Sequence, residues 1–240
     1  MSLLFLCNII AYMDQGIKEF LELHKLFKSH GFSLYLVGGS VRDYLIGISL
    51  TDLDAVTDAK PEVMKIFLKE ANFKFAKYGS VSYVSENGFK FDITTMRKEK
   101  AYKDSRHPGY IKFVHSLRTD VKRRDYSING LYLDGNLKVI DYVHGQKDLG
   151  NRLLRMIGNP NKRITQDPLR IIRALRFVVD YDLKLDQKLE AAIRNNIDLL
   201  EKLNAEKIKQ DISKIKCQDQ EKICSVFDNF NIKHLCDVVE

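Results

Sequence analysis

At 240 residues, with 45% hydrophobic and 30% charged side chains, the chain can bury one ordinary core or two small ones and is not composed like a disordered segment. Its formal net charge of +7 is unevenly spread: Arg97 to Arg124 holds ten Lys/Arg against three Asp/Glu and Lys147 to Arg176 eight against two, whereas from Gln187 onward the balance is nine against ten. The basic excess therefore falls in the middle of the chain, where nucleic acid or nucleotide phosphates would be gripped.

The apolar run Met1 to Ala11 is too short to cross a bilayer and lacks the cationic start and cleavage site of a secretory signal, so a cytoplasmic protein without membrane contact is expected. Ile17, Phe20, Leu21, Leu23, Leu26 and Phe27 recur at helical spacing and predict a helix from about Gly16 to Ser29, stopped by Gly31. Leu34 to Val37 reads as a strand, Val41 to Ile46 as a short helix, and Asp52 to Val56 as a second strand. Pro61 opens a helix to about Glu70. Phe73 to Ala76, Val81 to Val84 and Phe89 to Thr94 read as strands, the last two joined by Asn87-Gly88. Arg97 to Pro108, polar and basic, is expected to be a mobile loop. Ser127 to Leu133 and Leu137 to Tyr142 flank a second hairpin signal, Asp134-Gly135. Beyond Asp141 the strand pattern stops, and Gln166 to Val179, Gln187 to Leu203 and Ala205 to Ile215 read as helices. Cys7 stands alone, and Cys217, Cys224 and Cys236 lack the spacing of zinc ligands, so free thiols in a reducing compartment are expected.

Two stretches carry chemistry. The first is L-V-G-G-S-V-R-D from Leu36 to Asp43, followed by T-D-L-D from Thr51 to Asp54. Gly38 and Gly39 would let backbone N–H groups approach a triphosphate beside a helix start. Arg42, one turn on, would add charge-assisted hydrogen bonds to phosphate oxygens. Asp52 and Asp54, two apart on a strand, point to one face and could hold a pair of Mg²⁺ ions for in-line phosphoryl transfer. The second stretch is D-V-K-R-R-D-Y-S-I-N from Asp120 to Asn129, together with Q-D-P-L-R-I-I-R-A-L-R-F from Gln166 to Phe177. Arg170, Arg173 and Arg176 recur every third residue opposite Leu169, Ile172, Leu175 and Val179, a cationic ridge suited to a polyanion. Asp167 and Arg170, at i,i+3, place an acceptor beside donors. Cytosine and adenine each present an exocyclic amine beside a ring nitrogen that accepts, whereas guanine and uracil present the reverse. Such a pair would admit C and A, because the wrong bases leave buried groups unpaired.

The Gly-Gly-x-x-Arg-Asp and Asp-x-Asp motifs resemble the nucleotidyltransferase superfamily of the polymerase-beta type. With the later motifs, and R-K-E-K-A-Y-K-D-S-R-H-P at Arg97 to Pro108, the chain resembles the class II tRNA nucleotidyltransferase and bacterial poly(A) polymerase family from about Leu34 to Val179. The resemblance implies an α+β fold: a head with a small mixed sheet over residues 1–142, then an all-helical neck and truncated body over 143–240 that reads the nucleotide and binds RNA. It implies that Asp52 and Asp54 hold magnesium and are catalytic, and that Gly38, Gly39 and Arg42 bind nucleotide. Arg124, Arg170, Arg173, Arg176 and Asp167 would contact the incoming nucleotide, and Asp125 and Asn129 the ribose. Asp92 is either a third carboxylate near the metals or a strand-end hydrogen-bonding residue. The basic loop resembles the flexible loop the family uses in moving from C to A addition. Family members carry Glu where this chain has Gln166, which removes a charge that could steady Arg170, and they extend well beyond the neck.

The activity this implies is CTP- and ATP-dependent addition of C and A to the 3′ end of tRNA. CC-only or A-only addition is the nearest alternative, then poly(A) synthesis. A non-catalytic RNA-binding module is the alternative of another class, against which the intact Asp52/Asp54 pair argues. Nothing in the sequence sets an oligomeric state.

Overall fold

The structure is a computed structural model that describes residues 15–102 and 108–238. The run Met1 to Ala11, Cys7 and the middle of the basic stretch, 103–107, lie outside them. Among the described residues no helix is long and apolar enough to cross a membrane. The chain divides into two compact units: one comprises the chain up to Lys98, Ile111–Val121 and Asn129–Tyr142, the other Glu99–Tyr110, Lys122–Ile128 and the chain from Val143 on.

The first unit is built on a six-stranded mixed sheet. Its strands are β1 (Leu34–Val37), β2 (Asp52–Thr57), β3 (Ser80–Val84), β4 (Lys90–Thr95), β7 (Leu131–Leu133) and β8 (Val139–Asp141). Their order is β3-β4-β2-β1-β7-β8, with β2 and β4 parallel and the other neighbours antiparallel. Helix α1 (Gln15–Ser29) buries Ile17, Phe20, Leu23 and Phe27, the single stripe that their 3–4-residue spacing requires. The same core takes Leu34 and Leu36 of β1, Leu53 and Ala55 of β2, and Phe91 and Ile93 of β4. Short helices α2 (Gly39–Leu45) and α3 (Pro61–Phe67) follow β1 and β2, and α4 (Leu117–Asp120) precedes a 3₁₀ turn.

From Val143 on, the second unit is helical apart from β9 (Leu153–Leu154), which pairs in parallel with β10 (Lys184–Leu185). Its helices are α5 (Gly145–Gly150), α6 (Pro160–Gln166), α7 (Leu169–Tyr181), α8 (Gln187–Asn196), α9 (Ala205–Ile212) and α10 (Gln220–Asp228). Helix α7 is its centre: Leu169, Ile172, Leu175 and Val179 are all buried, the apolar face read from their spacing. The fold class is α+β, a mixed sheet with helices and then a helical segment, as expected.

Four local expectations are corrected. Phe73 to Ala76 forms no strand, because beside β3 only an isolated bridge at Asn72 opposite Ser82 forms, and Ala76–Tyr78 coils into a 3₁₀ turn closed by Gly79 at φ 79°. Only Leu131–Leu133 of the run from Ser127 is strand; the Ser127 N–H instead donates to the Arg155 carbonyl at 2.9 Å, and Ser127–Asn129 is a 3₁₀ turn. Of the expected loop from Arg97 to Pro108, the described part is not loop: Arg97–Tyr102 is a strand, β5, paired in a two-stranded ribbon with β6 (Pro108–Phe113). The cysteines are not all free: the chain turns back after α10 and brings Cys224 and Cys236 to a Cα separation of 5.2 Å, where they are joined as a disulfide. Among the described residues, Cys217 is a free cysteine.

Candidate active site

In the first unit the catalytic candidates follow from strand alternation. Along β2 the residues read exposed, buried, exposed, buried, because Leu53 and Ala55 face the core and Asp52 and Asp54 must therefore face outward. The parallel partner β4 sets Lys90 beside Asp52 and Asp92 beside Asp54, so all four lie on one face. Lys90 Nζ pairs with Asp92 at 3.2 Å, and both are half exposed. The Lys90 pKa is raised, chiefly by the hydrogen bond and charge of Asp92, with smaller contributions from Asp52 and Asp54. Nothing in the local sequence marks this lysine, since its pairing depends on a strand register no local pattern encodes.

Among the described residues, no three His, Cys, Asp or Glu side chains gather closely enough to enclose a metal by themselves. The open, all-oxygen pair Asp52/Asp54 instead fits a hard cation that takes one or two protein carboxylates and completes its shell with water and substrate phosphate.

The Gly-Gly turn is tied directly to this strand. Gly38 stands at φ 68°, ψ −129°, a conformation that suits only glycine, at the start of α2. A Cβ at Gly39 would come within 3.3 Å of Arg42 Nη2. Ser40, almost wholly buried, accepts a hydrogen bond from the Asp54 N–H at 2.8 Å and reaches the Asp52 carbonyl at 3.5 Å. Its hydroxyl thus fixes the backbone on which both carboxylates stand. Ser40→Ala is expected to lower stability by about 1 kcal/mol, a melting shift of roughly 2–4 °C, and to weaken activity more than that loss implies. Melting curves beside incorporation rates check both.

Arg42 is the residue expected to meet phosphate. Its side chain is only 6% exposed and is engaged within the unit: Nε and Nη2 meet Asp43 Oδ1 at 2.9 Å, and Nη1 donates to Asn129 Oδ1 at 2.7 Å. The guanidinium therefore links the Gly-Gly turn to Asn129.

The second unit gathers Asp125, Asp167, Arg170 and Arg173, with Arg124 tied in through its carbonyl, which accepts from Arg163 Nη2 at 2.8 Å. The single helix expected over Gln166 to Val179 is broken. Pro168 disfavours helical geometry at the residue before it, and Asp167 sits extended at φ −155°, ψ 91° between α6 and α7. Asp167 consequently is not one turn below Arg170 on a common helix. Its Oδ2 pairs closely with Arg173 Nη2, while Arg170 Nε stays 3.9 Å away. Arg173 Nη1 also reaches Asp125 Oδ2 at 3.3 Å. Burial is the largest single influence on Arg173 and opposes its charge, yet Asp125 and Asp167 together raise its pKa. Asp167 is buried, and its Oδ1 accepts no hydrogen bond.

Arg170 is buried, its Nη1 donating to the Arg163 carbonyl and its own carbonyl accepting from the Tyr126 hydroxyl at 2.5 Å. That tyrosine is wholly buried, and desolvation raises its pKa. Arg176 lies over the Phe177 ring at 5.1 Å, and burial lowers its pKa. The three arginines thus form no solvated ridge: two are taken up in a buried network, and the third is partly covered. Gln166 also differs from expectation, its Oε1 facing Arg163 Nη1 at 3.5 Å.

The comparisons agree with this architecture. The chain is 39% identical over 200 residues to the CCA-adding enzyme of Ligilactobacillus salivarius, an alignment covering 83% of this chain and 49% of that protein. It spans about half the length of the curated relatives it matches. The Bacillus stearothermophilus CCA-adding enzyme in complex with CTP superposes with a TM-score of 0.82 at 29% identity, over 92% of this chain and 53% of that one. The Thermotoga maritima CCA-adding enzyme complexed with tRNA superposes with a TM-score of 0.74 at 25% identity, over 92% and 52%. Residues 34–155 match the family model described as the poly A polymerase head domain. Those residues contain the Gly-Gly turn, the paired aspartates and the Arg-Arg-Asp segment alike, and the chain belongs to that family.

Proposed function

We propose that this chain adds C and A to the 3′ end of tRNA, using CTP and ATP. The observation that carries the reading is the outward-facing Asp52/Asp54 pair on β2, anchored through Ser40 to the Gly38-Gly39 turn. The likeness to the CTP-bound and tRNA-bound CCA-adding enzymes supports the choice of nucleotide and acceptor.

In this reading the 3′-hydroxyl oxygen of tRNA attacks the α-phosphorus, the bond to the β-phosphate oxygen breaks, and pyrophosphate leaves. Asp52 and Asp54 would hold divalent metal, Mg²⁺, which when bound would supply positive charge to offset the negative charge developing in the transfer. Gly38 and Gly39 leave room beside the turn for the triphosphate, while Arg42 holds Asn129 in position for the sugar. In the second unit, Asp167 Oδ1 is a buried acceptor suited to the exocyclic amine of cytosine or adenine, and guanidinium N–H groups beside it suit the adjoining ring nitrogen. Guanine and uracil would set donor against donor there and carbonyl against carboxylate.

The test supplies each nucleoside triphosphate singly to tRNA transcripts ending at the discriminator base, at C and at CC, and sequences the products. C is expected on the first two acceptors and a single A on the third, with no use of GTP or UTP. Long adenylate tails would identify a poly(A) polymerase, and absence of incorporation on every acceptor would overturn the proposal.

A further inference from the structure

Within the second unit one residue, Arg163, contacts Arg124, Asp167 and Arg170 at once without belonging to the base-reading set. Arg163 lies in the last turn of α6, partly buried, in a helix started by Asn159, whose side chain accepts from the Lys162 N–H. Its Nη2 donates to the carbonyls of Arg123 and Arg124 at 2.6 and 2.8 Å. Its own carbonyl accepts from Arg170 Nη1 and, at 3.3 Å, from the Asp167 N–H. Its Nη1 faces Gln166 Oε1 at 3.5 Å.

The segment it holds, Arg124-Asp125, is pinned on its C-terminal side by the backbone. There the Asp125 carbonyl accepts from the Ile157 N–H at 2.8 Å and the Ser127 N–H donates to the Arg155 carbonyl at 2.9 Å. The forked guanidinium supplies the hold on the other side. Without it, the carbonyls of Arg123 and Arg124 lose this anchor, and Asp125 loses the fixed distance from which it reaches Arg173. Arginine suits the task because one planar group donates to two carbonyls at once.

We propose that Arg163 is a positioning residue for nucleotide selection. It clamps the Arg124-Asp125 segment to the turn carrying Asp167, and so sets the spacing of the Asp125–Arg173–Asp167 chain of charges. Gln166 is its tuning partner: a carboxylate there would exchange a long neutral contact for a charge-assisted one. The inference rests on the reading that Asp167 and Arg173 select the base.

The test measures kcat and KM for all four nucleoside triphosphates on tRNA ending in C or CC, with Asp167→Ala run alongside. Arg163→Ala is expected to raise KM for CTP and ATP and to lower discrimination against GTP and UTP by roughly 10- to 100-fold, as losing a buried hydrogen-bonded anchor should. Arg163→Lys, which keeps the charge and one donor, should restore part of the selectivity. Gln166→Glu keeps the clamp, and it should improve discrimination about two- to fivefold.

If Arg163→Ala or Arg163→Lys lowers only the melting temperature, with KM and selectivity unchanged while Asp167→Ala loses selectivity, Arg163 is structural and the inference fails. If Asp167→Ala also keeps full selectivity, the base-reading assignment fails first and takes the inference with it. Should Arg163→Ala not fold, loss of discrimination in Arg163→Lys with a gain in Gln166→Glu upholds the proposal, and no change in either overturns it.

Discussion

Asp52→Ala and Asp54→Ala are each expected to abolish nucleotide addition, a loss of at least about 10³-fold, while leaving the fold intact. The large effect follows from the proposed chemistry: in-line transfer develops charge on attacking and leaving oxygens, and in the proposed function these carboxylates hold the cation that offsets it. The small effect on stability follows from position. Both side chains are exposed on the outward face of β2 and take no part in its core, so each substitution should change stability by no more than about 0.5 kcal/mol. Single-turnover incorporation with magnesium, beside thermal melting, measures the two quantities. Near wild-type incorporation by either variant would remove the metal assignment. Asp92→Ala is the informative companion, because Asp92 stands beside Asp54 in the sheet but is paired with Lys90. A loss as deep as that of Asp54→Ala makes it a third carboxylate of the site, and a modest one leaves it the partner of Lys90.

The second large effect concerns base choice. Asp167→Ala is expected to lose about 10² to 10⁴ in discrimination of CTP and ATP against GTP and UTP, the range for a buried contact that pairs with one set of base edges and clashes with the other. Arg173→Ala should lose nearly as much, because Arg173 rather than Arg170 is the close partner of Asp167. Asp167→Asn separates charge from shape: an amide retains one acceptor but weakens the hold on Arg173, so an intermediate loss is expected. The measurement is kcat/KM for all four nucleotides with each variant. Equal losses for all four with Asp167→Ala would mean the carboxylate only positions Arg173, and that the base is read elsewhere.

Sequence and tertiary structure carry two kinds of information about this chain. Where chemistry depends on local spacing, it is legible in the residues alone. The period-2 placement of Asp52 and Asp54 is enough to put them on one face, and the sheet keeps them there. The stripe of α1 and the apolar face of α7 are equally plain, because a period of 3–4 apolar residues has one way to be buried. The break at Asp167-Pro168 is also written in the sequence, since proline constrains the residue before it. Reading one helix through it places Asp167 against Arg170, one turn away, and misses the pairing with Arg173.

What local sequence does not show is which partners far apart in the chain meet. Arg42 reads as a phosphate ligand, and nothing nearby in sequence shows that Asn129 meets it. Gln166 is paired in expectation with Arg170, yet its amide faces Arg163. Cys224 and Cys236, 12 residues apart, become a disulfide only because the segment after α10 folds back upon it.

The sequence by itself determined most of the elements, the burial of their apolar faces, the shared face of the paired aspartates and the family resemblance, because each is set by the periodicity, turn chemistry or motif order of neighbouring residues. Only the tertiary structure decided which polar groups meet: Lys90 with Asp92, Ser40 with the backbone of Asp54, and Arg163 with the carbonyls of Arg123 and Arg124. The physical reason is that a polar side chain is satisfied by whichever partner the packed backbone brings within about 3 Å, and strand register and chain reversal, not local sequence, set that distance.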